Sequence, residues 1–262
     1  MRLGDEGVIR NSVLRAVAVA GIALGLGVPV HMVKEPATAS SQRGEVQVPY
    51  NGGFTFSRIR YGGTGYRRRG GSAWAHDYPD ADRHISQIVE YVSTTAINVI
   101  GTNVFDLDDP EIFRHPIIYL SEPGTWGMTD SEGENLRQYL LKGGFLILDD
   151  FEQAQWYNME EQLRRAMPDL QLIEIGPEHP IFNSFFRVED IYVPHPLVDV
   201  KPQYFALFEN NDPSQRMLVL VNYNSDLAEY WEFSANEGYF PVDMTNESYK
   251  LGVNYIYYAL IH

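Results

Sequence analysis

From Gly143 to Phe151 the chain reads Gly-Gly-Phe-Leu-Ile-Leu-Asp-Asp-Phe, an unbroken apolar run that stops at two carboxylates. The run is too short for an ordinary helix, and apolarity on both faces marks a parallel strand covered by helices on both sides. Thr129 and Glu132 stand at capping-box spacing just upstream. Leu136, Tyr139 and Leu140 follow at helical intervals, and Gly143 and Gly144 then end the helix. A helix feeding a buried strand is the signature of an α/β sheet. In open sheets of that kind ligands bind beyond the strands' carboxyl ends, which is where Asp149 and Asp150 would stand.

The same pattern recurs along the chain. Residues 54–61 are strand-like, but their apolar positions change face midway, and Arg58 and Arg60 project to one side. Asp80 or Asp82 is placed to cap a helix bearing Ile85, Ile88, Val89 and Val92. Short strands are expected at 97–100 and 117–120, a break at 122–127, a helix at 152–167 and a strand at 170–175. A hairpin is expected from 204–209 and 217–223, and a closing helix from about 247 to 261. Strands alternating with helices predict a mostly parallel sheet wound on both faces.

Composition narrows the function classes. The chain has 262 residues, no cysteine and a net charge of −15. Residues 1–39 hold four basic and three acidic residues, so −16 falls on the remainder. That balance argues against nucleic acid and anionic lipid as nonspecific partners. The absence of cysteine excludes disulfides, zinc thiolates and a thiol nucleophile. Three arginines within the first 15 residues, an apolar stretch at 16–30 and Ala37-Thr38-Ala39 resemble a signal peptide or membrane anchor, so an exported, periplasmic or membrane-anchored protein is expected. Residues 40–53 read as a linker, residues 62–72 as a glycine- and arginine-rich loop, and residues 54–262 as a single α/β domain.

Several unusual clusters occur in one order: Phe56, Arg58, Arg60, Tyr61, Gly62 and Gly63; then Trp74, Asp77, Tyr78, Pro79, Ala81 and Asp82; then the 143–151 strand; then Asp226 with Trp231 and Glu232. Together they resemble the bacterial family named domain of unknown function 4159. This resemblance implies a fold similar to the class I glutamine amidotransferase-like superfold, a flavodoxin-like three-layer sandwich. It implies no activity. True amidotransferases of that type use a cysteine at a tight strand exit. The analogous exit here is the Asp149-Asp150-Phe151 turn, and thiol attack on glutamine is excluded.

The candidate chemistry centres on Asp149 and Asp150 with His179. Each aspartate is a possible general base, metal ligand or acceptor of a sugar hydroxyl, and each is equally a possible cap for the helix after Glu152. Arg58 and Arg60 suit a phosphate or carboxylate, or else internal pairing with Asp77, Asp80 or Asp82. Trp74 and Trp126 are candidates for stacking on a substrate, and Asp226 and Glu232 complete the substrate-binding set. His76, His179 and His195 suit metal ligation by type but match no standard spacing, so no metal or cofactor is assigned. Two readings remain: a noncatalytic binding or scaffolding module of the cell envelope, with a small polar ligand or an envelope protein as partner, and a hydrolase or isomerase acting on a small polar or carbohydrate substrate.

Overall fold

The apolar runs assemble into a seven-stranded sheet with helices on both faces, a three-layer α/β arrangement. The computed structural model describes residues 47–63, 73–188 and 190–262, within a compact unit spanning Arg43–His262. The expected signal segment at 1–39 and the Arg67 to Arg69 loop lie outside the described residues. Among the described residues no helix is long and apolar enough to cross a membrane.

In chain order the strands and helices are β1 (Ser57–Arg60), β2 (Gly62–Gly63), α1 (Asp80–Val92), β3 (Asn103–Asp106), β4 (Ile117–Ser121), β5 (Trp126–Gly127) and α2 (Asp130–Leu141). They continue with β6 (Phe145–Asp149), α3 (Trp156–Ala166), β7 (Ile173–Ile175), β8 (Gln203–Phe208), β9 (Met217–Tyr223), α4 (Leu227–Glu232) and α5 (Val242–Ile261). The main sheet runs β3-β1-β4-β6-β9-β8-β7, with β8 antiparallel to both neighbours. Counted alone, the five adjacent parallel strands follow the doubly wound order 2-1-3-4-5. The chain leaves β1 toward one edge and returns to build the other, so the switch point, where such sheets open a crevice, lies between β1 and β4.

β6 sits at the centre and shows why the pattern works. Phe145 and Ile147 face the cluster formed with α1, α4 and α5, while Leu146 and Leu148 face the one formed with α2 and α3. All four are buried, each worth about 1.5–3 kcal/mol relative to exposure. α2 begins with the expected capping box between Thr129 and Glu132. It ends at Gly143, whose φ of +114° a side chain would strain, and at Gly144, where a Cβ would collide with the Tyr139 ring.

Several expectations need correction. The 97–100 strand reduces to one bridge between Ile97 and Phe54. The edge strand is β3, because Val104 and Phe105 both become buried there while Ile100 stays in solvent. Neither Asp80 nor Asp82 caps α1; Pro79 holds that position without a side-chain bond, and Asp82 turns inward. The helix expected at 152–167 is a 3-10 turn (Gln153–Gln155) followed by α3, and α5 begins at Val242. The end of the presumed linker is docked: Val48 N–H donates to Asn103 Oδ1 at 2.6 Å, and Asn103 Nδ2 donates back to Val48 O.

Candidate functional site

The carboxyl edge beside the switch point collects an unusual density of acids. β6 delivers Asp149 inside the sheet and Asp150 just past it, where φ reaches +63°. The backbone N–H groups of Asp150 and Phe151 both donate to Ser225 O, which ties this exit to the corner between β9 and α4. Glu122, after β4, and Asp77, before α1, also have positive φ, +48° and +60°. Non-glycine residues rarely hold such angles, and strain of this kind gathers at functional sites. All three meet at one side chain, His76.

His76 Nδ1 lies 2.7 Å from Asp150 Oδ2, 3.7 Å from Asp77 Oδ2 and 3.8 Å from Glu122 Oε1. Its side chain is 42% exposed. The hydrogen bond to Asp150 outweighs partial burial and raises the imidazole to about 10. Asp150, which also accepts from Ser121 Oγ at 3.0 Å, is pushed up to about 7, first by burial and then by the acids around it, against the pull of His76. Asp77 is only 4% exposed, and its carboxyl is met by that of Glu232. Burial first, then the charges of Asp226 and Asp150, drive it up to about 11. The Asp77 carboxyl therefore keeps its proton at neutral pH, and Glu232 is the neighbour placed to share it.

The α4 side adds two more groups. Asp226 caps α4 by accepting from Glu229 N–H through Oδ1, while its buried Oδ2 has no partner and burial raises its pKa well above the usual range. His195 Nδ1 accepts from Leu197 N–H at 3.2 Å, which places the ring proton on Nε2. That nitrogen is buried and unpartnered, 3.8 Å from Glu152 Oε2. Coordinating atoms of Asp150, His195 and Asp226 lie within 4.8 Å of one another, as do those of His76, Glu122 and Asp150 and those of His76, Asp77 and Glu229.

Other predicted residues are used differently. Asp149, fully buried, accepts from Tyr119 OH at 3.0 Å, Leu227 N–H at 2.9 Å and Asn222 Nδ2 at 3.2 Å. It anchors the start of α4, not the helix after Glu152. Arg58 is likewise enclosed. It grips Asp82 with Nε at 3.1 Å and Nη2 at 2.6 Å, and its Nη1 holds the carbonyls of Trp74 and His76 at 3.0 and 2.7 Å. Arg60 does not join the acidic 77–82 segment, because the β1–β3 register sets it opposite Asp106, which it pairs at 2.8 Å. Trp126 has no exposure and belongs to the core beneath the edge; Trp74 is 8% exposed and lies tilted against Tyr78. His179 is not with Asp149 or Asp150. It caps a short turn through Ile181 N–H and lies against Phe208 and Tyr258, at the end of the sheet where Phe145 begins β6.

Glu122 and Glu229 carry no signal of their own in the sequence, although Glu122 opens the break expected after the 117–120 strand. A cleft of about 650 Å³, bordered by Asp190, Tyr192, Lys201 and Tyr204, shares no residue with the acid cluster. Chemistry, not volume, places the candidate site at His76. Residues 55–260 match the family described as Domain of unknown function (DUF4159). The chain belongs to that family. No curated protein matches it. In this DUF4159 domain every residue of the acid cluster, from His76 to Glu232, falls inside the matched range.

Proposed function

We propose that this DUF4159 domain is an acid–base enzyme of the hydrolase or isomerase class acting on a small polar, hydroxyl-bearing substrate, with His76 and Asp150 as its proton-handling pair. The observation that carries the reading is the 2.7 Å bond between a half-exposed imidazole and a buried carboxylate at the carboxyl edge. Nδ1 is committed to Asp150, so Nε2 faces the substrate as a general acid, a role worth about 10²–10⁴-fold in rate. The surrounding acids favour ligands rich in donors over phosphates. Membership of the amidotransferase-like superfold is supported by the 2-1-3-4-5 strand order and by the strained turn at Asp150, which takes the place of a nucleophile elbow without supplying a thiol. Residues 1–39 would deliver the domain to the cell envelope.

A second reading, a noncatalytic envelope module, is favoured by the complete pairing of Asp149 and the enclosure of the Arg58–Asp82 bridge. Thermal-shift screening against neutral sugars, polyols and amino sugars, followed by turnover assays of each hit, separates the two. Turnover lost at least 100-fold in both His76→Gln and Asp150→Asn supports the enzyme. Ligand binding without turnover supports the module. No ligand shift from any class would sink both.

A further inference from the structure

We infer that His195 Nε2–H, Asp226 Oδ2 and Asp150 hold a single hydroxyl-type oxygen, with His195 as the positioning residue that sets this oxygen against Asp150. The inference deepens the proposed function, because it rests on Asp150 being the working carboxylate. It starts from two polar atoms that the fold encloses and does not pair. The His195 side chain is 5% exposed and Asp226 is 2% exposed, yet among the described residues neither His195 Nε2 nor Asp226 Oδ2 has a hydrogen-bond partner. Glu152 Oε2, at 3.8 Å from Nε2, is too far to serve as one. Buried polar atoms are normally bonded to protein or to an ordered oxygen, and an unpaired one is costly.

Local geometry fixes what each atom offers. Leu197 N–H occupies His195 Nδ1 at 3.2 Å, and burial lowers the ring's pKa, so the neutral imidazole carries its proton on Nε2. Glu229 N–H occupies Asp226 Oδ1 at 2.9 Å. Burial, with the charges of Asp150 and Asp149, keeps the Asp226 carboxyl protonated and leaves that proton to Oδ2. Two donors therefore stand beside a carboxylate. Asp150 has room for a further bond, because His76 Nδ1 and Ser121 Oγ both engage Oδ2 and a carboxylate accepts about four.

A ring nitrogen of His195 and one oxygen each of Asp150 and Asp226 lie within 4.8 Å of one another. Three atoms so spaced can all reach one oxygen at about 2.8–3.0 Å, the ordinary hydrogen-bond length. Such an oxygen fills its tetrahedral positions here: its lone pairs accept from Nε2–H and Oδ2–H, and its own O–H donates to Asp150. The fourth bond runs to carbon in a substrate hydroxyl and to hydrogen in water. A divalent cation does not suit the same point, since a protonated Nε2 has no lone pair to give.

The first arm of the test needs no known substrate. A high-resolution crystal structure of the full chain should show one ordered oxygen within hydrogen-bond distance of His195 Nε2, Asp226 Oδ2 and Asp150, and nitrogen NMR of histidine-labelled protein should place the His195 proton on Nε2. Soaking with D-glucose and sorbitol separates the sources: replacement by a ligand hydroxyl assigns the oxygen to substrate, and persistence beside a bound ligand assigns it to water. Carbon NMR then reads Asp150. His195→Leu removes the donor that holds the oxygen and should raise the Asp150 midpoint from about 7 by roughly half a unit or more. His195→Gln, whose amide N–H can take the place of Nε2–H, should titrate as the parent does, whereas a purely structural histidine would leave the midpoint unmoved in both. No oxygen at that point, a proton on Nδ1, or a parent-like midpoint in folded His195→Leu would overturn the inference, and the crystal and nitrogen arms decide it if that variant does not fold. Turnover without the oxygen would keep the acid–base reading and remove this site. The oxygen in a protein without turnover would do the reverse.

Discussion

The carboxyl edge of the sheet has a closed half and an open half, built from the same residue types. In the closed half Arg58 meets Asp82 across 2.6 Å, and Asp149 takes three donors. In the open half Asp226 keeps a buried oxygen without a hydrogen-bond partner, Asp77 meets another acid, Glu232, and among the described residues His76 is the one side chain between Asp77, Glu122 and Asp150 that carries positive charge. Burial is nearly equal on both sides; pairing is not. A buried charge that is fully paired holds the fold, whereas one left partly unpaired is held by the fold at a cost. Such a cost persists where another species, a proton, a cation or a substrate, completes the set.

The largest way to break the comparison is Arg58→Ala. It leaves Asp82 uncompensated at zero exposure and frees the carbonyls that fix the 74–76 segment, so unfolding free energy should fall by about 3–5 kcal/mol. Urea unfolding at pH 7 measures it. A loss below about 1 kcal/mol would show that the closed half is not a structural anchor. Next comes Asp149→Asn, which keeps the shape but weakens acceptance from Tyr119, Leu227 and Asn222, for a loss of about 1–3 kcal/mol. Slower amide exchange at Leu227 in the variant would contradict it.

The open half should respond with the opposite sign. Asp77 titrates near 11 in the fold against 3.8 ordinarily, so between those values the native state retains a proton that the unfolded chain has released. Stability therefore falls as pH rises, by up to about 1.4 kcal/mol per pH unit for each retained proton. His76 acts in the same direction: its contribution is full below 6.5 and is lost as pH rises through about 10. Because the cluster shares its protons, Asp77→Asn should gain about 1–2 kcal/mol at pH 8 and nothing at pH 4. Unfolding curves at both pH values check this, and a variant less stable at pH 8 would mean that the carboxyl is structurally paired. The smallest effect on stability is expected for His76→Gln measured above about pH 10, within about 1 kcal/mol, because there the parent imidazole has given up its proton and the stability that went with it. Its consequence should appear in turnover and in the midpoint of Asp150, which NMR titration can follow.

Much of the frame was legible. The run from Gly143 to Asp149 could only be buried on both faces, the Thr129–Glu132 box announced α2, and the hairpin that became β8 and β9 showed in its two apolar runs and the turn between them. Local spacing carries such information because helix and strand periods are local. The pairing of Arg58 with an acid of the 77–82 segment was one of two open readings, and the structure places Asp82 there. His179 failed for an equally physical reason: its neighbouring prolines signalled a shaped loop, and nothing local revealed which end of the sheet that loop would reach.

The sequence by itself determined the layered α/β arrangement, the central strand ending in two carboxylates and the exclusion of thiol chemistry. Only the tertiary structure decided that Asp149 would be consumed by Tyr119, Asn222 and α4 while Asp150, one residue on, would turn through positive φ to meet His76. Alternation sends successive side chains to opposite faces, but what waits on each face is set by elements far apart in the chain. His76 precedes Asp150 by 74 residues, and Asp226 follows it by a similar stretch. The strand order brings them together at the switch point, and no local spacing encodes that meeting.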